Sequence, residues 1–467
     1  SFRRWRISFA TSISRCGVSS LIELSAELVT ALMLGGVFFL VMTGYPIAFV
    51  IGSVAFIVGV LVFGPTTTYH ILYSRFYDLS LNYPYLAVPL FTFMGVILQH
   101  SGVTKDLYEC LYEALGRLKG GLAVVTIIFG TILAACLGVI AASVTILTLI
   151  ALAPMVTRGY DKAIAAGSIV ASGTLGILIP PSIMLVVYAP QAGLSVGQMF
   201  MGAVFPGLLL SALYIAYVVI RCRLNPALGP SIPADQVTPF SGAKFLRLLK
   251  ALLPPLILIA AVLGTIFLGI APPTEAAAVG CFASIVLAVC YGRFSWELIR
   301  RASIETLKVS AFVVMIAALC YAFVGIFMNA GSGDVVAKFI LSFPGGRWVT
   351  FTIIMAIVFM LGMFIEWIGI VFIVVPIFTP IMTSLGFNPL WAGMMVCINL
   401  QMAFQTPPMA MSIFVLKGTA PKELGVSMWD IIRGVIPFIL IIMLVLVLCS
   451  IFPEIILWLP EKMIGSA

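Results

Sequence analysis

The stretch between Lys162 and Arg221 contains no acidic residue, no basic residue and no histidine. A transmembrane helix needs about 20 apolar residues, so this stretch is long enough to cross a bilayer more than once. Comparable apolar runs follow one another along the 467 residues, of which 62% are hydrophobic and only 9% are charged. Runs of this length indicate transmembrane segments, not a soluble core. The sequence therefore predicts an all-α polytopic membrane protein.

The formal net charge of +8 comes from basic residues that cluster in short loops between the apolar runs. Such clusters mark the cytoplasmic side of a membrane protein, so they do not indicate a nucleic-acid partner. Nine cysteines and two histidines, His70 and His100, form no CxxC motif and no cluster with metal-ligand spacing. We therefore expect no cofactor and no metal centre of side-chain ligands.

The charge-free stretch is interrupted at Gly173–Ser182, where two glycines are followed by the pair Pro180–Pro181. Prolines remove backbone hydrogen bonds from a helix, and glycines make its backbone more flexible. In a hydrocarbon layer such a break is tolerated where the freed carbonyls line a cavity or contact a ligand. For a single break, a packed kink is an equally good explanation, since prolines are common in membrane helices.

A second segment, Gln401–Met409, has the same form and contains the pair Pro407–Pro408. At the same sequence offset, Gly159–Asp161 corresponds to Gly386–Asn388. The first of these motifs has basic neighbours and the second has none, which is the asymmetry expected when one copy is inverted in the membrane. Matched breaks in two inverted repeats are typical of secondary transporters that bind their substrate at the breaks.

The charge pattern also predicts two re-entrant helical hairpins, whose arms are too short or too polar to span a bilayer alone. One covers about residues 84–118, with its tip near Ser101 and Gly102 or at its N-terminal prolines. The other covers about 323–343, with Asn329 and Gly331 at its bend. The predicted parts are a basic arm (1–26), a first repeat (27–220), a cytoplasmic connector (221–250), scaffold spans (251–308), a second repeat (309–453) and a tail (454–467).

Several segments carry a family resemblance. They are Gly159–Asp161, Gly173–Ser182, Pro272–Ala278, Met363–Gly369 and Asn399–Pro408. From about Glu27 to Pro453 the chain resembles the large membrane subunit, a DctM-like permease, of the tripartite ATP-independent periplasmic (TRAP) transporters. The resemblance implies an elevator-type transport domain on a scaffold in the bacterial inner membrane. It also implies a periplasmic substrate-binding protein, a small membrane subunit on a separate chain, and sodium ions that drive the uptake of a small organic acid anion.

The candidate site residues surround the two breaks. Broken helices offer helix N-termini to anions and free carbonyls to cations. We expect the substrate between the hairpins and the breaks, with sodium held by carbonyls near Gly173, Gly176 and Thr406. The residues expected to bind substrate or ions are Ser143, Thr145, Gly173, Thr174, Gly176, Pro180, Pro181, Ser182, Glu366, Asn399, Gln401, Thr406, Pro407 and Pro408.

Charged residues are scarce near this site. Neither broken segment contains an arginine or lysine, so the substrate charge must be met by helix ends, sodium or hydroxyl groups, or by a cation at a hairpin. Glu366 is the only charged residue between Arg347 and Lys417. It is a candidate cation or proton ligand, although a helix cap explains it equally well. Glu275 has the position of a first-turn helix residue.

Three other functions fit parts of the pattern. A single-component, ion-coupled dicarboxylate or citrate-type carrier would have a related architecture and no binding protein. A channel would not need paired breaks in inverted repeats. An intramembrane enzyme is the remotest alternative, because it needs a nucleophile–base pair, two aspartates or a metal triad, and the sequence offers none of these within the membrane.

Overall fold

The computed structural model describes residues 24–101, 103–116, 118–231, 242–408 and 410–463. Every regular element in these ranges is helical, which confirms the prediction of an all-α membrane protein. Within the same ranges, eight helices are long and apolar enough to cross a membrane. The predicted basic arm falls almost entirely outside the described residues, as does Gly102.

The longer helices are numbered here in chain order. They are α1 Ala26–Met42, α2 Ile47–Ser80, α3 Ala87–His100, α4 Val103–Leu115, α5 Gly121–Leu137, α6 Ile140–Thr157, α7 Lys162–Thr174, α8 Ile183–Gln191, α9 Val196–Leu224, α10 Gly242–Phe267, α11 Pro273–Cys290, α12 Trp296–Asn329, α13 Ser332–Leu341, α14 Gly346–Gly362, α15 Trp367–Ser384, α16 Pro389–Ala403, α17 Met411–Thr419, α18 Met428–Ile451 and α19 Glu454–Glu461. Short 3₁₀ turns cover Tyr83–Leu86, Leu175–Ile177, Pro226–Leu228 and Lys422–Leu424.

The chain divides into two compact units. The first contains the residues up to Tyr83, Phe312–Ile354 and Ile368–Ile381. The second contains Pro84–Ala311, Met355–Trp367 and the chain from Met382 onward. Both broken segments, the predicted scaffold spans and the first predicted hairpin lie in the second unit, whereas the second predicted hairpin lies in the first unit.

In the first unit, α1 packs against α2 and α13 packs against α1. Helix α2 changes direction at Gly64, whose φ of +74° favours glycine, and the following Pro65 cannot donate a helical hydrogen bond. At the predicted bend of the second hairpin, the Asn329 side chain donates to the Gly325 carbonyl at 2.7 Å. Gly331, with a φ of +76°, then turns the chain from α12 into α13.

In the second unit, α3 and α4 occupy the range predicted for the first hairpin. The Ser101 hydroxyl donates to the Leu98 carbonyl at 2.8 Å and is buried at the end of α3. Each helix is too short to span a bilayer, and the re-entrant placement of the pair stays a prediction. Glu275 lies in the first turn of α11, where a carboxylate stabilises the helix N-terminus.

The repeated three-residue motif forms the same turn twice in the second unit. Gly159 and Gly386 have φ values of +81° and +80°, which only glycine adopts readily. Two residues later, the side chains of Asp161 and Asn388 each accept two backbone N–H groups at the start of α7 and of α16. These N-caps begin the two helices that lead into the breaks.

Helix α7 is enclosed on all sides, since every residue from Ile164 to Thr174 is buried. Its closest neighbour is α18. A Cβ atom added to Gly167 would collide with the Gly434 carbonyl, and one added to Gly434 would collide with the Ala163 carbonyl. The two backbones therefore touch because neither helix has a side chain at the crossing point, and the first break follows a tightly held helix.

Candidate functional site: two broken helices joined by a buried hydrogen bond

The first break separates α7 from α8. After Thr174 the helix tightens into the 3₁₀ turn Leu175–Ile177 and then stops at Pro180–Pro181, whose peptide bond is cis. The Ser182 hydroxyl reaches back across the break and donates to the Ile177 carbonyl at 2.5 Å. The Gly176 carbonyl lacks its usual helical partner, because Pro180 four residues later carries no N–H.

The second break separates α16 from α17 and has the same construction. The peptide bond of Pro407–Pro408 is also cis. The Ser412 hydroxyl donates to the Phe404 carbonyl at 2.6 Å, so a serine again pairs with a carbonyl on the far side of the break. The Thr406 hydroxyl is occupied within its own segment, since it donates to the Met402 carbonyl at 2.8 Å.

The two breaks differ in burial. Gly173, Gly176, Pro180, Pro181 and Ser182 are all buried. In contrast, Thr406 is half-buried, and Pro407 and Pro408 are exposed. The first break is therefore enclosed by the second unit, whereas the second break is accessible from outside the chain.

A side-chain hydrogen bond joins the two broken helices. The Gln405 amide nitrogen donates to the Thr174 hydroxyl at 2.9 Å, and both residues are fully buried. The Thr174 hydroxyl in turn donates to the Ala171 carbonyl at 2.9 Å. This hydrogen bond therefore connects the two broken segments directly.

Further buried polar atoms lie on α7, α9 and α16 and in the second break. The side-chain amide of Gln401, the amide oxygen of Gln405 and the hydroxyls of Ser168 and Tyr214 are buried and make no hydrogen bond to another described residue. The Tyr214 hydroxyl on α9 lies close to the Gln405 side chain but does not have hydrogen-bond geometry to it. Buried polar groups in native proteins are almost always paired, so these atoms indicate places for water or a ligand.

The bend between α5 and α6 lies against the first break. Gly138 turns the chain there with a φ of +62°, and a Cβ atom on it would lie 3.4 Å from the Pro181 carbonyl. The Ser143 hydroxyl donates to the Val139 carbonyl at 3.0 Å and lies 3.4 Å from the position of a Cβ on Gly176. The predicted residues Ser143 and Gly176 are therefore neighbours.

The bend between α14 and α15 lies against the second break. Glu366 lines a cavity of about 510 Å³ whose other lining residues are Gly362, Ile365, Phe404, Ala410, Met411, Phe414 and Val415. Glu366 supplies the only carboxylate among these residues. The Asn399 side chain donates to the Met355 carbonyl at 2.7 Å, which ties α16 to α14.

The remaining predicted residues are less closely connected to this site. Thr145 is half-buried on α6, two residues beyond Ser143. Ser101 hydrogen-bonds within its own helix end. Asn329 and Gly331 belong to the first unit, where they lie together at the bend between α12 and α13.

Sequence reasoning missed two residues of this site, Gln405 and Ser412. Gln405 lies four positions after the predicted Gln401, which places both on one face of a helix. Ser412 follows the second proline pair as Ser182 follows the first, although at a longer distance. Both signals are present in the sequence, but only the three-dimensional contacts give them a role.

The chemistry of the site suits small ions. Hydroxyls, amides and carbonyls are neutral oxygen ligands, which hold hard cations. The helix N-terminus that follows each break carries a partial positive charge, which attracts an anion. Among the described residues, no group of His, Cys, Asp or Glu side chains could hold a transition metal.

Comparisons with known proteins agree with this arrangement. The family model described as "Tripartite ATP-independent periplasmic transporter, DctM component" matches residues 34–455. The chain is 30% identical over 405 residues to the C4-dicarboxylate TRAP transporter large permease protein DctM of Pseudomonas aeruginosa, covering 86% of this chain and 92% of that one.

Two further relatives differ in their named substrate. The chain is 29% identical to the isethionate TRAP transporter permease protein DctMQ of Oleidesulfovibrio alaskensis, covering 80% of this chain and 58% of that one. It is 28% identical to the sialic acid TRAP transporter large permease protein SiaM of Vibrio cholerae, covering 82% and 88%. The crystal structure of the YdaH transporter of Alcanivorax borkumensis matches with a TM-score of 0.60 and 15% identity, over 84% of this chain and 89% of that one, and shows a similar fold.

Proposed function

Because the chain belongs to the DctM family of tripartite ATP-independent periplasmic transporters, we propose that it imports a small organic acid anion by coupling to sodium. It is a multi-pass protein of the inner membrane and a large permease subunit, not an enzyme. The proposed sodium coupling, substrate class and elevator movement rest on the site described above.

The hydrogen bond between Gln405 and Thr174 carries the proposal. It joins two helix breaks whose free carbonyls are suitable ligands for sodium. The first break contains no ionisable side chain. A proton-driven carrier needs a titratable group in its core. Glu366 is the one candidate for that role near the second break, and it lies outside the enclosed first break.

The substrate class follows from charge. The named relatives transport C4-dicarboxylates, isethionate or sialic acid, all of which are organic acid anions. Neither break offers a lysine or an arginine, so an anion would be held by helix N-termini and by the sodium ions themselves. Binding of this kind suits release into the cytoplasm better than tight capture.

Tight capture is the expected task of a periplasmic binding protein. A small membrane subunit completes the assembly, and the relative named DctMQ carries more chain than this protein covers. We propose that both partners act on this chain as separate proteins. The elevator movement would carry the two broken segments, which both lie in the second unit, across the membrane with their cargo.

Uptake into liposomes tests this function. The chain is reconstituted with its small subunit and binding protein, and uptake of labelled C4-dicarboxylate, isethionate or sialic acid is followed under imposed gradients. We expect uptake to need inward sodium and to speed up with an inside-negative potential, since each net positive charge gains about 2.3 kcal/mol per 100 mV. Uptake driven by protons in sodium-free buffer would contradict sodium coupling and would assign Glu366 as the proton carrier.

Two matched preparations sharpen this test. Replacing Pro180 and Pro181 by alanine lets the helix continue through the break, so we expect insertion into the membrane but no uptake. Normal uptake in that variant would make the prolines packing kinks only. High-affinity uptake by the chain alone would contradict the need for partners and support a single-component carrier.

A further inference from the structure

A second cavity lies away from the candidate site, in the loop that leads from α17 into α18. Its volume is about 590 Å³, and its lining residues all belong to the segment from Lys417 to Ser427. Two lysines, Lys417 and Lys422, line this loop cavity. The basic loops place this end of both helices on the cytoplasmic side of the membrane.

Two ammonium groups converge on two successive carbonyls of the loop. The Lys162 ammonium donates to the Gly425 carbonyl at 2.8 Å, and the Lys417 ammonium donates to the adjacent Val426 carbonyl at 2.6 Å. Each ammonium has three N–H donors, so one carbonyl bond leaves others to bind an anion. Lys162 begins α7 and Lys417 lies at the end of α17, so the loop cavity brings together the cytoplasmic ends of both broken helices.

Acidic neighbours do not cancel this charge. The Asp430 carboxylate accepts the N–H and the hydroxyl of Ser427 at 2.8 and 2.7 Å, which holds it at the start of α18. Arg433 and Lys162 both attract it. Glu423 is exposed in the 3₁₀ turn. Asp161 caps α7 beside Lys162. The loop and the two adjoining helix starts therefore carry four basic side chains, Lys162, Lys417, Lys422 and Arg433, and three acidic ones, Asp161, Glu423 and Asp430, which leaves a net positive charge.

Aromatic side chains flank the loop on both adjoining helices. Trp429 on α18 is 67% exposed, and Phe414 on α17 is 53% exposed. Exposed tryptophan beside lysine is typical of the zone where a protein meets lipid headgroups, and basic pockets on the cytoplasmic side bind anionic headgroups.

We propose that the loop cavity, together with Lys162, binds the phosphate group of an anion at the cytoplasmic surface. Phosphate oxygens accept several N–H donors at once, which matches ammonium groups that arrive from two different helices. A bound phosphate bridges the start of α7 and the end of α17. It thereby stabilises the two broken helices relative to one another, independently of the sodium and substrate chemistry proposed above.

Thermal unfolding of the purified full-length chain in a neutral detergent tests this site. The probes are short-chain phosphatidylglycerol, short-chain phosphatidylcholine and inorganic phosphate, compared at constant ionic strength. We expect phosphatidylglycerol to raise the unfolding temperature and phosphatidylcholine to leave it unchanged. A shift with phosphatidylglycerol alone identifies a lipid headgroup as the ligand, whereas an equal shift with inorganic phosphate identifies a general phosphate site.

The decisive variant is Lys422→Gln, because Lys422 is exposed and its replacement leaves the carbonyl bonds of Lys162 and Lys417 in place. We expect Lys422→Gln to lose at least half of the shift and Lys422→Arg to keep it. The matched control is Lys308→Gln, an exposed lysine elsewhere in the second unit, which should keep the full shift. Absence of any shift with either phosphate probe, or an unchanged shift in Lys422→Gln, would overturn the proposal.

Discussion

The side-chain amide of Gln405 donates a hydrogen bond to the hydroxyl of Thr174, although the two residues are 231 positions apart. Gln405 lies two residues before Pro407, and Thr174 ends α7 six residues before Pro180, so the contact connects the two broken segments directly. Both side chains are fully buried, where an unpaired polar group is costly. The two breaks are therefore expected to act as one mechanical element.

The two sides of this hydrogen bond are not equivalent, which leads to the first prediction. Thr174→Val leaves the buried Gln405 amide nitrogen with only a long 3.5 Å contact to the Gln401 carbonyl, so we expect a loss of about 1–3 kcal/mol in unfolding free energy. Gln405→Leu removes the amide, including its unpaired oxygen, and Thr174 keeps its bond to Ala171. That variant should lose less than about 1 kcal/mol.

A double-mutant cycle in denaturant checks this asymmetry. The double variant should be no less stable than Gln405→Leu alone, because the partner left unpaired by Thr174→Val is gone. Thr131→Val, which removes a hydroxyl bonded to Ser211 elsewhere in the second unit, is the control and should be additive with Gln405→Leu. Additivity between Thr174→Val and Gln405→Leu would show that the two side chains do not interact.

The serines that reach across the breaks give the second prediction. Ser182→Ala and Ser412→Ala each leave a buried carbonyl without its hydroxyl partner, so we expect a loss of about 1–3 kcal/mol and slower uptake. Ser450→Ala removes a hydroxyl that bonds within one unbroken helix turn, and its effect should be smaller. Thermal unfolding and liposome uptake measure the two effects. If all three substitutions lowered stability and uptake equally, the serines at the breaks would have no special role.

The close crossing of α7 and α18 gives the third prediction. Gly434→Ala places a methyl group against the Ala163 carbonyl, and backbone cannot move aside as a flexible side chain can. We expect a loss of about 1–3 kcal/mol, measured by thermal unfolding. Gly418→Ala is the control, because a Cβ atom there meets nothing within 4 Å and alanine favours the helix. A Gly434→Ala variant as stable as the wild type would mean that the two helices separate freely.

The residue that starts the helix after the second break gives the fourth prediction. Ala410 has a φ of +24°, in a region that disfavours side chains. Ala410→Gly should raise the unfolding free energy by about 1 kcal/mol. Ala420→Gly, at a φ of −63°, should lower it by about 0.4–1 kcal/mol because glycine adds only entropy to the unfolded chain. Shifts of the same sign in both variants would contradict this account of the backbone at Ala410.

Much of the fold could be predicted from local sequence. Apolar runs without charged residues predict that the chain spans a membrane. A charged side chain inside the hydrocarbon layer is energetically unfavourable, so membrane-spanning segments contain few of them. The proline pairs determine where two helices break, since proline lacks the N–H that a helix needs. The recurrence of Gly159–Asp161 as Gly386–Asn388 predicted a repeat, and both copies form the same glycine turn and N-cap.

The joining of these local features was decided by tertiary structure alone. The sequence positions of Thr174 and Gln405 do not predict their hydrogen bond. Two helices can pack in many registers, and this bond forms only in the register that the protein adopts. The same holds for Lys162, which reaches the Gly425 carbonyl across 263 positions. A helix break can be predicted from sequence because it is caused by the prolines and glycines at that position. The pairing of distant polar side chains depends on how the whole core packs, which the sequence does not show directly.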